Sequence, residues 1–164
     1  MTAYLKEYND DSGTTHIDID TKLTGGIKGT TELRTLNWQW TAHQDHIFGA
    51  LRGKTHFTTI AELASKASDN KDAGRGSGVE AADVINAEDK SFLCDGWEKV
   101  IMDGAEVIET YSESEANGWT ARQIWGFEDV QVGENVERRY TRHVVIRKGS
   151  GVKRLRLVYD WVPQ

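Results

Sequence analysis

Tyr140 and Arg142 alternate along ERRYTRHVV (137–145), and Gln123, Trp125 and Phe127 alternate along WTARQIWGFEDV (119–130). Guanidinium, phenol and amide groups at every second residue among aromatic rings suit a small molecule that is mostly apolar and carries an oxygen. Arginine and tyrosine can donate to a carboxylate, phenol or carbonyl, and the same donors can stabilise an enolate or phenolate formed during a reaction. The remaining residues with chemical reach are Glu109 and the HQDH stretch, His43 to His46. Asp45 or His46 at the rim of a binding site has the reach of a general base. As metal ligands His43, Asp45 and His46 fall short of the three or four that a site needs.

Whether these groups meet depends on strand register. Asn117-Gly118, Gly133-Glu134 and Gly149-Ser150 each suit a tight hairpin turn, and cross-strand partners must share a face. Taken independently, the three turns predict one common face. It carries Ile108, Gln123, Trp125, Phe127, Arg138, Tyr140, Arg142, Val144, Leu155, Leu157, Tyr159 and Trp161. The third turn sets Tyr140 against Tyr159, Arg142 against Leu157, Val144 against Leu155 and Arg138 against Trp161. The opposite face carries Arg122, Glu128, Arg139, His143, Arg154, Arg156 and Asp160 and reads as solvated. There Glu128, Arg139 and Asp160 form an expected ion-pair row, with Glu113 opposite Arg122. A three-residue loop at Ala116-Asn117-Gly118 is the competing arrangement, and it would turn Glu109 and Tyr111 inward beside Trp125 and Gln123.

An arginine facing inward needs an anion or water, since burying an unpaired charge is costly. Arg138 is expected to stack on Trp161 and close one end of the fold. Arg142, nearer mid-strand, can take its counter-charge from a ligand, from water or from an inward Glu109. Trp38, Trp40 and Trp119 join the ligand-facing set with Gln123, Trp125, Phe127, Tyr140, Arg142, Leu157 and Tyr159. Glu109, Asp45 and His46 are the candidate catalytic groups if the protein is an enzyme. His56 and His143 are expected at the surface, and Cys94 is expected to be inert.

The elements that would hold this face are strands. Alternating runs cover THIDIDTKL, ELRTLNWQWTAH and HIFGALRGKTHFTTI, then roughly 97–102, 105–114, 119–130, 136–147 and 152–162. IAELASKAS is the one stretch of helical character. Residues 69–93 are polar and weakly periodic, and read as a lid over a site or as a disordered loop. The predicted fold is mainly β: one domain over 1–164, an antiparallel up-and-down barrel of about eight strands, a short helix and a long lid-like loop. Closure leaves no exposed strand edge, and a barrel of that size can hold one small ligand.

Together these features resemble the calycins, the lipocalins and fatty-acid-binding proteins. The resemblance rests on the strand count, on an arginine beside a tryptophan near a barrel end, and on Arg138-Arg139-Tyr140, which matches the Arg-x-Tyr pattern with which fatty-acid-binding proteins hold a carboxylate. The chain lacks the N-terminal Gly-x-Trp of lipocalins and the helix pair of fatty-acid-binding proteins. The resemblance implies a ligand in a barrel.

With a net charge of -6 and a pI near 5.4, nucleic acid and anionic membranes are poor partners. A lone cysteine and the absence of a signal-like N-terminus fit the cytoplasm. No phosphate-binding glycine loop, Gly-x-Ser-x-Gly or His-Glu-x-x-His motif occurs, and no cofactor is expected. Three functions remain open: a barrel that binds an apolar or aromatic metabolite; a cofactor-independent isomerase, cyclase or lyase of secondary metabolism using the same pocket; or a solid-cored interaction domain.

Overall fold

The computed structural model describes residues 2–22, 28–45, 49–68 and 80–161. Along the chain run β1 (Thr2–Asn9), β2 (Thr15–Lys22), β3 (Lys28–Thr35), β4 (Thr41–Asp45), β5 (Gly49–Thr58), α1 (Ile60–Ser65), a 3-10 turn (Ala81–Asp83), α2 (Ala87–Cys94), α3 (Lys99–Met102), β6 (Val107–Ser114), β7 (Trp119–Val132), β8 (Asn135–Lys148) and β9 (Gly151–Tyr159). The strands form two antiparallel sheets, ordered β1-β2-β3 and β4-β5-β6-β7-β8-β9. Packing divides the chain into two units: Met1–His56 with Thr110–Thr120, and Phe57–Glu109 with Ala121–Gln164.

In the first unit, β1 is a strand the sequence reading passed over. A local turn ties it to β2: the Asp10 carboxylate accepts from the Ser12 amide (2.9 Å) and the Thr14 amide (3.0 Å) and meets His16 Nε2 at 2.8 Å. These bonds, led by the Ser12 hydroxyl, hold the Asp10 carboxyl well below the usual carboxylate range. Register sets Leu5 against Ile19 and Glu7 against Ile17, so the buried isoleucines share the inner face. The alternation of Leu36, Trp38 and Trp40 reads as one continuous strand, but β3 stops at Thr35. Trp38 turns into the left-handed region (φ 55°), and its amide donates to the Thr55 carbonyl at 2.9 Å. Periodicity cannot reveal such a break.

In the second unit the departures are helical. Residues 80–93, expected as loop, carry the 3-10 turn and α2, whose N-terminus is capped by Asn86 accepting from the Asp89 amide at 2.9 Å. The rest of the expected lid, 69–79, lies outside the described residues. The segment 97–102, expected as a strand, is α3 with its lead-in. Trp97 and Ile101, four apart, go into the core while Val100 between them is 57% exposed. A strand allows that same pattern, so it is the backbone that shows the helix: the Met102 amide donates to the Glu98 carbonyl at 3.1 Å. α1 falls where expected, closed by a capping box between Thr59 and Glu62.

These helices cover one face of the sheet. Ile60, Leu63, Ile85, Leu93, Trp97 and Ile101 pack with Val107, Ile124 and Val145 into a buried cluster. Gly126 is where the layers come closest: a Cβ there would sit 3.0 Å from the Trp97 ring and 3.1 Å from Ile101 Cδ1. Gly126→Ala is therefore expected to destabilise by about 1–3 kcal/mol, read as a lower urea midpoint at unchanged slope. A wild-type midpoint would mean the layers have slack. Among the described residues no helix is long and apolar enough to cross a membrane.

Candidate functional site

The β8–β9 hairpin has the register expected from its turn: Tyr140 lies opposite Tyr159, Arg142 opposite Leu157 and Val144 opposite Leu155. Gly149, at φ 57°, makes that turn possible, and Gly133, at φ 60°, serves the preceding one. Pairing stops at Tyr159, however, and Trp161 is 85% exposed. Arg138 does not stack on it. Its guanidinium lies 3.5 Å over the Phe127 ring and forms a double hydrogen bond to Glu98, at 2.7 and 2.9 Å. α3 supplies that carboxylate through its N-cap residue, which a strand there would have placed elsewhere.

The face opposite Trp125 is solvated only in part: Arg154, Arg156 and Asp160 are exposed, but its centre is not. Arg122, Glu128 and His143 are 6%, 1% and 4% exposed, because the helices lie over them. His143 stands between two acceptors, the Phe92 carbonyl at 2.9 Å and Glu128 Oε1 at 2.5 Å, and stacks against Phe92 and Trp97. Arg156 closes on the other oxygen of Glu128. The expected row of Glu128, Arg139 and Asp160 is thus split: Arg139 pairs with Asp160 and Glu137, and Glu128 belongs to the buried group. Glu113 pairs with Arg52, not with Arg122.

Glu109 is fully buried, and both oxygens are engaged. Lys66 Nζ reaches them at 2.9 and 2.8 Å, and Arg122 donates to Oε1 while its other arm donates to the Ala82 carbonyl at 2.7 Å. Burial pushes the Lys66 ammonium below its ordinary range, against the pull of Glu109. Between β6 and β7 the turn holds residues 115–118. An even loop keeps the parity of a two-residue turn, so Glu109 shares a face with Arg122 and not with Gln123 or Trp125. The inward Glu109 is overturned. A carboxylate clamped between two cations is also a poor proton acceptor.

On the other face, Gln123, Trp125, Phe127, Tyr140, Arg142, Leu157 and Tyr159 come together. Trp125 is 1% exposed, and Phe127, Tyr140, Leu157 and Tyr159 are half-buried. The Arg142 guanidinium lies 4.1 Å from the Trp125 ring centre, donates one arm to Gln123 Oε1 and approaches the Tyr159 hydroxyl with the other at 3.3 Å. Phe127, Tyr140 and Tyr159 continue the aromatic wall, with centroids 5.3 and 5.9 Å apart along the series.

What sets Arg142 apart is that no carboxylate among the described residues pairs with it. Every other described arginine has one: Arg34 with Glu32, Arg52 with Glu113, Arg122 with Glu109, Arg138 with Glu98, Arg139 with Asp160, Arg147 and Arg154 with Asp89, Arg156 with Glu128. Among the described residues Arg142 has only the amide and the phenol, and its Nε is buried without an acceptor.

The other candidates lie in the first unit. Trp38 stacks on His56 at 4.0 Å, so that histidine is half-buried, not at the surface. Trp40 meets Tyr111 edge-on at 6.1 Å with Arg52 4.3 Å over its ring, and Trp119 is half-buried at the start of β7. Lys54, 6% exposed, lies 5.3 Å from the Trp38 ring and 4.7 Å from that of Trp40. Sequence reasoning missed it, although its strand places it two residues from Arg52. His43 is half-buried on β4; the Asp45 side chain and His46 lie outside the described residues. Burial pushes the Cys94 thiol up, which suits an inert side chain. Among the described residues no group of three His, Cys, Asp or Glu could hold a metal ion.

Compared with known proteins, the chain is 30% identical over 163 residues to the probable pericyclase scpY of Mollisia scopiformis. The match spans 99% of the chain and 70% of that relative. The chain belongs to this pericyclase family. No protein-family model matches it, and no solved structure does. Membership places the chain with a protein named for an enzyme activity, which favours the cyclase among the three functions left open.

Proposed function

We propose that the protein is a pericyclase of secondary metabolism, acting on a small unsaturated metabolite bound against Arg142, Gln123, Trp125, Tyr140 and Tyr159. In a pericyclic step bonds form and break in one cyclic array of electrons, and no group is handed to the enzyme. The protein therefore has to hold a reactive conformer and stabilise charge that shifts onto an oxygen. Arg142 carries this reading: it is a cation fixed on an indole, steered by an amide and a phenol, with no carboxylate among the described residues to quench it. The aromatic wall supplies shape and dispersion. That Glu109 is consumed by Lys66 and Arg122 fits the same mechanism, since such a ring closure asks for no internal base. For the fold we propose a calycin-like barrel.

The decisive experiment is direct. The purified protein is incubated with the substrate of the Mollisia scopiformis relative, and the products are separated by chiral chromatography. Faster conversion than in buffer, with one stereoisomer enriched, is the expected result. A rate and an isomer ratio equal to those in buffer would overturn the proposal.

A further inference from the structure

We infer that the substrate carries an anionic oxygen, a carboxylate or an ionised enol or phenol, and that this charge docks on Arg142. The inference rests on the function proposed above and specifies what that site selects. The protein has more acidic than basic residues, with a net charge of -6, and each described arginine except Arg142 has taken a carboxylate. A guanidinium without a described carboxylate is anomalous in such a chain. A phenol and an amide oxygen offer dipoles but no charge, and the Trp125 ring offers only its quadrupole. Nε, buried and without an acceptor among the described residues, lacks a partner that an anionic oxygen would provide. A neutral ketone would satisfy the hydrogen bonds while leaving the charge unmatched.

Matched probes separate charge from shape: 2-naphthoate, and 2-naphthamide as its neutral isostere. Their dissociation constants are measured by tryptophan fluorescence on wild type, Arg142→Gln and Arg142→Lys, with circular dichroism confirming that each variant is folded. Wild type is expected to prefer the carboxylate by roughly tenfold to a hundredfold. Arg142→Gln should bring that preference close to unity, and Arg142→Lys should retain part of it. Equal affinity for both probes in wild type would sink the anionic substrate, yet leave the pericyclase standing if Arg142→Gln still slowed ring closure. An undiminished carboxylate preference in Arg142→Gln would place the anion on another cation and remove Arg142 from both proposals.

Discussion

Arg142→Met is expected to lower kcat/KM for ring closure by about 10²–10³-fold, the loss found when one preorganised donor is taken from a developing oxyanion. Methionine keeps much of the side-chain volume and can still lie on the Trp125 indole, so packing is largely preserved. What disappears is the charge and the donors that Gln123 and Tyr159 orient. Because no described carboxylate pairs with Arg142, the substitution orphans no buried anion. The unfolding midpoint should therefore stay near that of wild type or rise. Steady-state kinetics on the relative's substrate, with urea unfolding alongside, reads both quantities. A variant as active as wild type would end the case for this site, and one that unfolds early would recast Arg142 as structural. Gln123→Ala should act more weakly, raising KM more than it lowers kcat, since the amide positions the guanidinium and does not carry the charge.

Glu109→Leu should have the opposite signature, destabilising the fold by about 3–5 kcal/mol, as breaking a buried ion pair from one side does. Glu109 is 0% exposed, and its removal strips the carboxylate from Arg122, 6% exposed, and from Lys66 together. The helices suffer as well, because Arg122 also ties down the Ala82 and Val84 carbonyls beneath the Glu109 pair. Adding Arg122→Met to Glu109→Leu should recover part of the loss, because it withdraws one of the cations left without its counter-ion. Urea unfolding of the single and double variants measures this. Stability within experimental error of wild type in the single variant would mean that the cluster is held by solvent and not by the ion pairs.

These two arginines, twenty residues apart on neighbouring strands, show where sequence reasoning holds and where it stops. Period-two alternation and the glycine turns were enough for the β8–β9 pairing and for a face shared by Tyr140, Arg142, Leu157 and Tyr159. Alternation separates the faces of a strand but does not say what lies on each. Glu128, His143 and Arg122 look solvated because they are polar, yet their partners neutralise them in the interior. Lys66 is 43 residues from Glu109 in the chain, and no local pattern announces such a pair. The same holds for α2, whose place depends on Asn86 at its cap and on Asp89 meeting Arg147 and Arg154 from the sheet. β1 escaped notice because its side chains are mostly exposed and leave little apolar signature.

The sequence by itself determined the strand-rich class, the turns at Gly133 and Gly149 and the membership of the aromatic face with Arg142, because these follow from side-chain period and from the backbone freedom of glycine. Only the tertiary structure decided which face the helices cover, that Glu109 is neutralised there, and that Arg142 alone among the described arginines is left without a carboxylate. Charge compensation is a matter of distance in space, and the chain order carries no record of it.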